Sequence, residues 1–129
     1  IPVRNGIWSY SVITWDGTYI RAYSNGNLVY TSSSYNGDTP NPYSNYFGAE
    51  NFNGSIADVQ IYNTSLDNST VKALYQEGIG GAPIDVTHLV GWWPLNGNAN
   101  DYSGNNYQGT PTSVVWNANW QSGYSAPTS

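Results

Sequence analysis

The sequence predicts an all-β fold carrying one short helix. Two features dictate this: short runs of alternating apolar residues set off by glycine and asparagine, and two tight-turn dipeptides close together. A third is a single segment with 3.6-residue apolar spacing between a capping side chain and a glycine.

Residues 8–15 alternate, with Trp8, Tyr10 and Val12 on one face and Ile13 and Trp15 on the other. Asp16-Gly17 is read as a two-residue hairpin turn with φ positive at both central residues, leading into a strand over residues 18–23. Asn25-Gly26 gives a second hairpin, and residues 28–31 complete a three-stranded meander. Residues 32–46 form a long loop holding Pro40, Pro42, Gly37 and three tyrosines; loops of this length are usually functional or mobile. Asn53-Gly54 turns into a β run over residues 56–62. Asp67, Asn68 or Ser69 caps a helix of about two turns, with Val71, Leu74 and Tyr75 at helical spacing and Gly78 at its end. Residues 78–83 read as a glycine-rich connector, residues 89–95 return to β, and the remainder is rich in Gly, Asn and Ser.

Composition narrows the function. The 129 residues suffice for one domain with a core. The chain has no methionine and begins Ile1-Pro2-Val3, which reads as an interior or processed piece of a longer product. No apolar run approaches the ~20 residues of a membrane span. Charged residues are 9% of the chain, against about 25% in ordinary domains, so solubility rests on amides and hydroxyls. A net charge of −5 with three cations excludes a nucleic-acid footprint and an anionic membrane surface. Such a composition suits an extracellular setting, including an acidic one, where neutralised carboxylates build up little repulsion. The absence of cysteine removes disulfides, thiolate metal sites and thiol nucleophiles together. Glycosylation sequons stand at Asn53, Asn63 and Asn68, about the number that chance gives in a chain so rich in Asn, Ser and Thr.

The order of motifs carries a resemblance. WSYSVITWDGTYIRAYSNGNLV (residues 8–29) and FNGSIADVQIYNTSLDNSTVKALYQEG (residues 52–78) resemble the late strands and closing helix of laminin-G-like, concanavalin A-like jelly rolls. LVGWWPLNGNANDYSGNNYQGTPTSVVW (residues 89–116) resembles the opening of the same kind of domain. The resemblance implies a two-sheet antiparallel jelly-roll sandwich, with residues 1–82 as its C-terminal half, 83–88 as linker and 89–129 as N-terminal-type strands. The order is reversed relative to the family, so the chain either spans a boundary between tandem copies or folds as a permuted sandwich. The family's first and last strands lie side by side, so residues 56–62 are expected to pair with residues 90–95. That pairing covers Trp92 and Trp93, each of which buries about 150–250 Å² when packed. Closure within the chain and completion by a neighbouring chain or missing segment both satisfy this expectation.

Candidate chemistry is sparse. Related glycosidases pair carboxylates on one strand, whereas Glu50 and Glu77 have no carboxylate at i+2 or i+4. His88, the sole histidine, is read as a surface residue without a catalytic constellation. The chain is therefore expected not to be an enzyme. Some relatives bind calcium between loops, and Asp101, Asn98 and Asn105 are the candidate ligands here, with a self-bonded turn as the alternative and no other cofactor expected. Of the twenty aromatic residues most belong to strands, but Tyr35, Tyr43 and Tyr46 on the long loop and Trp120 and Tyr124 near the C-terminus are candidates to stack on a sugar or to pin their segments down. The resemblance implies a non-catalytic extracellular or cell-surface module for adhesion that recognises glycan or protein. The alternative is a structural subunit of a surface layer or filament assembled through β-strand edges.

Overall fold

The computed structural model describes residues 6–34, 47–48, 52–78 and 81–116. Their regular elements are mostly β: five strands in antiparallel sheets, with one helix. Strands β1 (Ser11–Trp15), β2 (Ile20–Ser24) and β3 (Asn27–Thr31) form a three-stranded sheet in that order. Strand β4 (Val59–Tyr62), helix α1 (Asn68–Glu77) and strand β5 (Leu89–Trp93) follow, with β4 and β5 forming a second sheet.

The two turns of the meander differ in mechanism. At Asn25-Gly26 both residues have positive φ, 51° and 82°, as a two-residue hairpin requires. At Asp16-Gly17 the expected two-residue turn is replaced by a four-residue loop in which, of that dipeptide, only Gly17 has positive φ. Asp16 makes the turn through its side chain: Oδ1 accepts the backbone N–H groups of Thr18 (2.9 Å) and Tyr19 (2.8 Å). A bulge between Ala22 and Tyr23 then shifts the β2–β3 register.

Helix α1 is nearly three turns long instead of two. Asp67 is its N-cap, accepting from the Thr70 amide at 2.8 Å, and Gly78 closes it with φ 81°. Val71 and Leu74 are buried with Tyr23 and Leu66, and Tyr10, Val12 and Tyr62 pack against them. This cluster joins β1, β2, β4 and α1, and burial of each aliphatic side chain contributes about 1.5–3 kcal/mol. Tyr75 lies at the rim, its ring tilted against Tyr10 at 6.1 Å between centroids. It approaches Gly26 so closely that a Cβ there would meet its Cδ2 at 3.1 Å.

The stretch before the helix pairs with the stretch after the connector. β4 and β5 run antiparallel with Val59 opposite Trp93, Gln60 opposite Trp92 and Ile61 opposite Gly91. Both tryptophans are covered. The Trp93 Nε1–H donates to the Tyr107 carbonyl at 2.8 Å, and its ring meets Phe47 edge-on at 5.3 Å. It folds back over Gly91, where a Cβ would sit 2.2 Å from the indole. The Trp92 ring meets Tyr102 edge-on at 6.2 Å. The outer edge of β5 is occupied: Asp101 accepts the Trp92 N–H and Tyr102 donates to the Trp92 carbonyl.

Candidate binding cleft

β1 and β4 each end a sheet, and between them lies a cleft of about 620 Å³. Residues 7–14 form one wall and residues 55–62 the other, with Phe52, Leu66, Leu74 and Tyr75 contributing the floor and ends. Asp58 is the one charged residue in these walls; the other polar groups are hydroxyls and amides.

Asp58, Gln60 and Tyr62 stand at i, i+2 and i+4, so β periodicity places them on one face. They form a relay: the Tyr62 hydroxyl donates to Gln60 Oε1, Gln60 Nε2–H donates to Asp58 Oδ1 (3.1 Å), and the Trp92 indole N–H donates to the same Oδ1 (3.0 Å). Asp58 has φ 54° and its amide donates to the Pro94 carbonyl, so the residue reverses the local ladder as β4 begins. Burial pushes its carboxyl up to about 6, against the pull of the Gln60 and Trp92 donors and with a smaller push from Glu77. The same desolvation, with Asp58 nearby, raises Tyr62 to about 12 and raises Tyr10 further. In the opposite wall Thr14 is buried, and its Oγ1 has no hydrogen-bond partner.

The calcium candidates sit elsewhere, beside the far edge of β5. Asp101 is buried, and its carboxylate accepts from the amides of Trp92 (2.9 Å), Ser103 (2.8 Å) and Tyr107 (3.0 Å) and from the Ser103 hydroxyl (2.9 Å). Desolvation works to raise its pKa, but those donors outweigh it and hold the carboxyl below the usual aspartate range. Asn98 Oδ1 accepts the Asn100 amide, while Asn105 aims its Nδ2–H at the Leu89 and Val90 carbonyls. Each of the three thus has a hydrogen-bonding role in the turn, and a calcium ion would have to displace the donors on Asp101 and Asn98 to gather the six or more oxygens it needs. Among the described residues no three His, Cys, Asp or Glu side chains gather as a metal-holding group.

Tyr35, Tyr43, Tyr46, Trp120 and Tyr124 lie outside the described residues. The sequon asparagines Asn53, Asn63 and Asn68 are all exposed, Asn68 at the first position of α1. His88 is exposed, but the sequence reading overlooked its neighbour: Asp85, three residues earlier, meets the ring Nδ1 at 2.8 Å. This pair closes the turn into β5, since Asp85 also accepts the His88 amide. Asp58, Gln60 and Thr14 were missed as site residues. The alternation in Asp58-Val59-Gln60-Ile61-Tyr62 did mark a polar face, but nothing in the sequence showed that this face borders a cleft.

The matched region of the chain includes both walls of that cleft. The family model for the concanavalin A-like lectin/glucanases superfamily, of the laminin-G type, matches residues 1–72. The chain belongs to that superfamily. The superfamily match includes the meander, β4 and the start of α1, and stops before β5. No curated protein and no solved structure matches the chain. Among the described residues no helix is long and apolar enough to cross a membrane.

Proposed function

We propose that this chain is a non-catalytic recognition module of an extracellular or cell-surface protein, serving adhesion by binding a glycan or a protein. The cleft carries this reading. Its volume of about 620 Å³ falls within the range of about 300–1,000 Å³ usual for ligand sites. Its walls combine the rings of Tyr10 and Phe52 with the hydroxyls and amides of Ser9, Ser11, Asn25 and Gln60. Such walls hold a partner by stacking and neutral hydrogen bonds, which suits a chain with few charges. Catalysis by paired carboxylates needs two groups about 5–10 Å apart, and Asp58 stands alone in the walls. The architecture that fits is the superfamily's two-sheet jelly-roll sandwich, here with residues 89–116 supplying an opening strand to residues 6–78.

A glycan-array screen of the purified chain, run with and without calcium, tests the reading. Binding that is lost on Gln60→Ala supports the cleft, and binding that needs calcium and is lost on Asp101→Ala supports the Asp101, Asn98 and Asn105 site. The alternative, a structural subunit of a surface layer or filament, is favoured by β3, which is exposed at every residue and carries no charge or proline to discourage edge pairing. Negative-stain imaging separates the two: regular filaments support the subunit and dispersed particles the module.

A further inference from the structure

An asparagine followed by glycine is a reactive pair. The glycine nitrogen is one ring closure away from the asparagine side-chain carbonyl carbon, and a glycine has no Cβ to hinder the approach. Whether the pair reacts depends on whether the backbone is free to bring the two atoms together. The dipeptide occurs at Asn5, Asn25, Asn36, Asn53 and Asn96, of which Asn5 and Asn36 lie outside the described residues.

The fold treats the other three differently. Asn25 is clamped: its Oδ1 accepts the Tyr10 N–H at 2.9 Å, and its own N–H donates to the Tyr10 carbonyl at 2.8 Å. The hairpin sets its φ at 51°, and the buried Gly26 lies against the Tyr75 ring, so swinging the glycine nitrogen would disturb β2, β3 and α1 together. Asn96 is half-buried in a stretch held on both sides. Before it, the buried Pro94 accepts the Asp58 N–H; after it, Asn98 Oδ1 accepts the Asn100 N–H and the Ala99 carbonyl accepts the Gly109 N–H. Asn53 belongs to no helix or strand. Both Asn53 and Gly54 are exposed, and among the described residues no hydrogen bond holds the Asn53 side chain or the Gly54 N–H.

We propose that Asn53 is a site of spontaneous deamidation, set apart from Asn25 and Asn96 by the freedom of its backbone. The Gly54 nitrogen bonds to the Asn53 side-chain carbonyl carbon, and the bond from that carbon to Nδ2 breaks. Ammonia leaves with the proton that the Gly54 nitrogen gives up, and a five-membered succinimide remains. Water then opens the ring at either carbonyl. Opening at the side-chain carbonyl gives aspartate; opening at the backbone carbonyl gives isoaspartate, in which the chain runs through the side chain. Either product adds one negative charge to a chain of net charge −5. Phe52 and Ser55, which flank the pair, line the cleft. The new carboxylate therefore stands at one end of a cleft whose walls otherwise hold only the Asp58 carboxyl, and isoaspartate lengthens the backbone between Phe52 and β4. This change does not depend on what the cleft binds.

The purified chain is held at 37 °C and pH 7.4, folded in one sample and unfolded in guanidinium in another, and its chymotryptic peptides are sequenced by mass spectrometry over time. Cuts at Tyr23 and Tyr30, and at Phe52 and Tyr62, place Asn25 and Asn53 on separate peptides. In the folded chain Asn53 should lose its amide at least about tenfold faster than Asn25, the factor for one hydrogen bond that ring closure must break. Asn96 should also lag behind Asn53, and in the unfolded chain the three rates should converge. One unit of higher pH should speed the Asn53 reaction about tenfold, because the attacking amide must first lose its proton. Asn53→Gln, whose closure needs a six-membered ring, should keep its amide. It is a cleaner block than Gly54→Ala, since a Cβ on Gly54 would press on the Phe52 ring at 3.2 Å. Equal rates at Asn53 and Asn25 in the folded chain would overturn the inference. So would an Asn53 that keeps its amide while the unfolded chain loses it, or aspartate formed there without isoaspartate.

Discussion

Two aspartates grip the same tryptophan from opposite sides, and their environments drive them apart. Asp58 takes the Trp92 indole N–H and Asp101 takes the Trp92 backbone N–H. Asp101 is surrounded by donors: three amides and a hydroxyl converge on its carboxylate, and its pKa is lowered although it is buried. Asp58 receives two donors on a single oxygen at the edge of an apolar cleft, and its pKa rises to about 6. Desolvation and donors compete for a carboxyl's charge: desolvation wins at Asp58, whereas the donors together outweigh it at Asp101. Asp101 is accordingly a structural anchor that needs its charge, whereas Asp58 tolerates its charge at a cost.

The sharpest way to break this contrast is Asp101→Ala. It strands the Trp92, Ser103 and Tyr107 amides in a partly buried loop, and unfolding in denaturant should show a loss of about 3–5 kcal/mol. A loss under 1 kcal/mol would mean that water replaces the carboxylate and that the anchor is not one.

Asp58 gives the next effect, of opposite sign. The unfolded chain releases this proton near the ordinary aspartate value, and the folded chain holds it to about pH 6. The folded state therefore binds the proton more tightly; this stabilisation is complete below about pH 4 and is lost as the pH rises to about 6, by roughly 2–3 kcal/mol. Asp58→Asn, which still accepts from Trp92, should flatten that slope and stabilise the chain at neutral pH. Melting curves between pH 4 and 7 measure it, and a variant whose Tm follows the parent at every pH would remove Asp58 from the explanation.

Ser103→Ala should cost about 1 kcal/mol, because it deletes one of Asp101's four donors and the acceptor of the exposed Asn105 amide while leaving the three amides on Asp101 in place. Chemical unfolding beside Asp101→Ala shows whether the loop's stability resides in the amides or in the hydroxyl. The smallest change in Tm is expected from Asp67→Ala, which removes the N-cap of α1 where water can replace it. Helical circular dichroism should fray at the N-terminal turn while the sheet signal stays.

The meander and the helix were legible because each has a local signature: Asn25-Gly26, and the Asp67 cap with Val71 and Leu74. The edge-to-edge meeting of β4 and β5 was expected only from the resemblance, in which a domain's first and last strands lie side by side. Asp16-Gly17 shows the limit of dipeptide reading. The pair named the turn correctly and its length wrongly, because the Asp16 carboxylate bonds two successive amides and spans a longer loop. The Asp101 turn was foreseen as one of two readings, and its donors are now identified. Asp58, Gln60 and Thr14 went unrecognised, since a polar residue in a β run looks the same whether solvent or a cleft adjoins it.

The amino-acid order by itself settled the secondary elements, the low charge and the kinship with laminin-G-type domains, all of which depend on neighbours within a few residues or on patterns along the chain. Only the tertiary structure decided that β1 and β4 are not paired with each other, that Asp58 is desolvated by burial and that Thr14 Oγ1 is left without a partner. Burial and the placing of one sheet beside another arise between segments some forty residues apart, where chain-local chemistry has no reach.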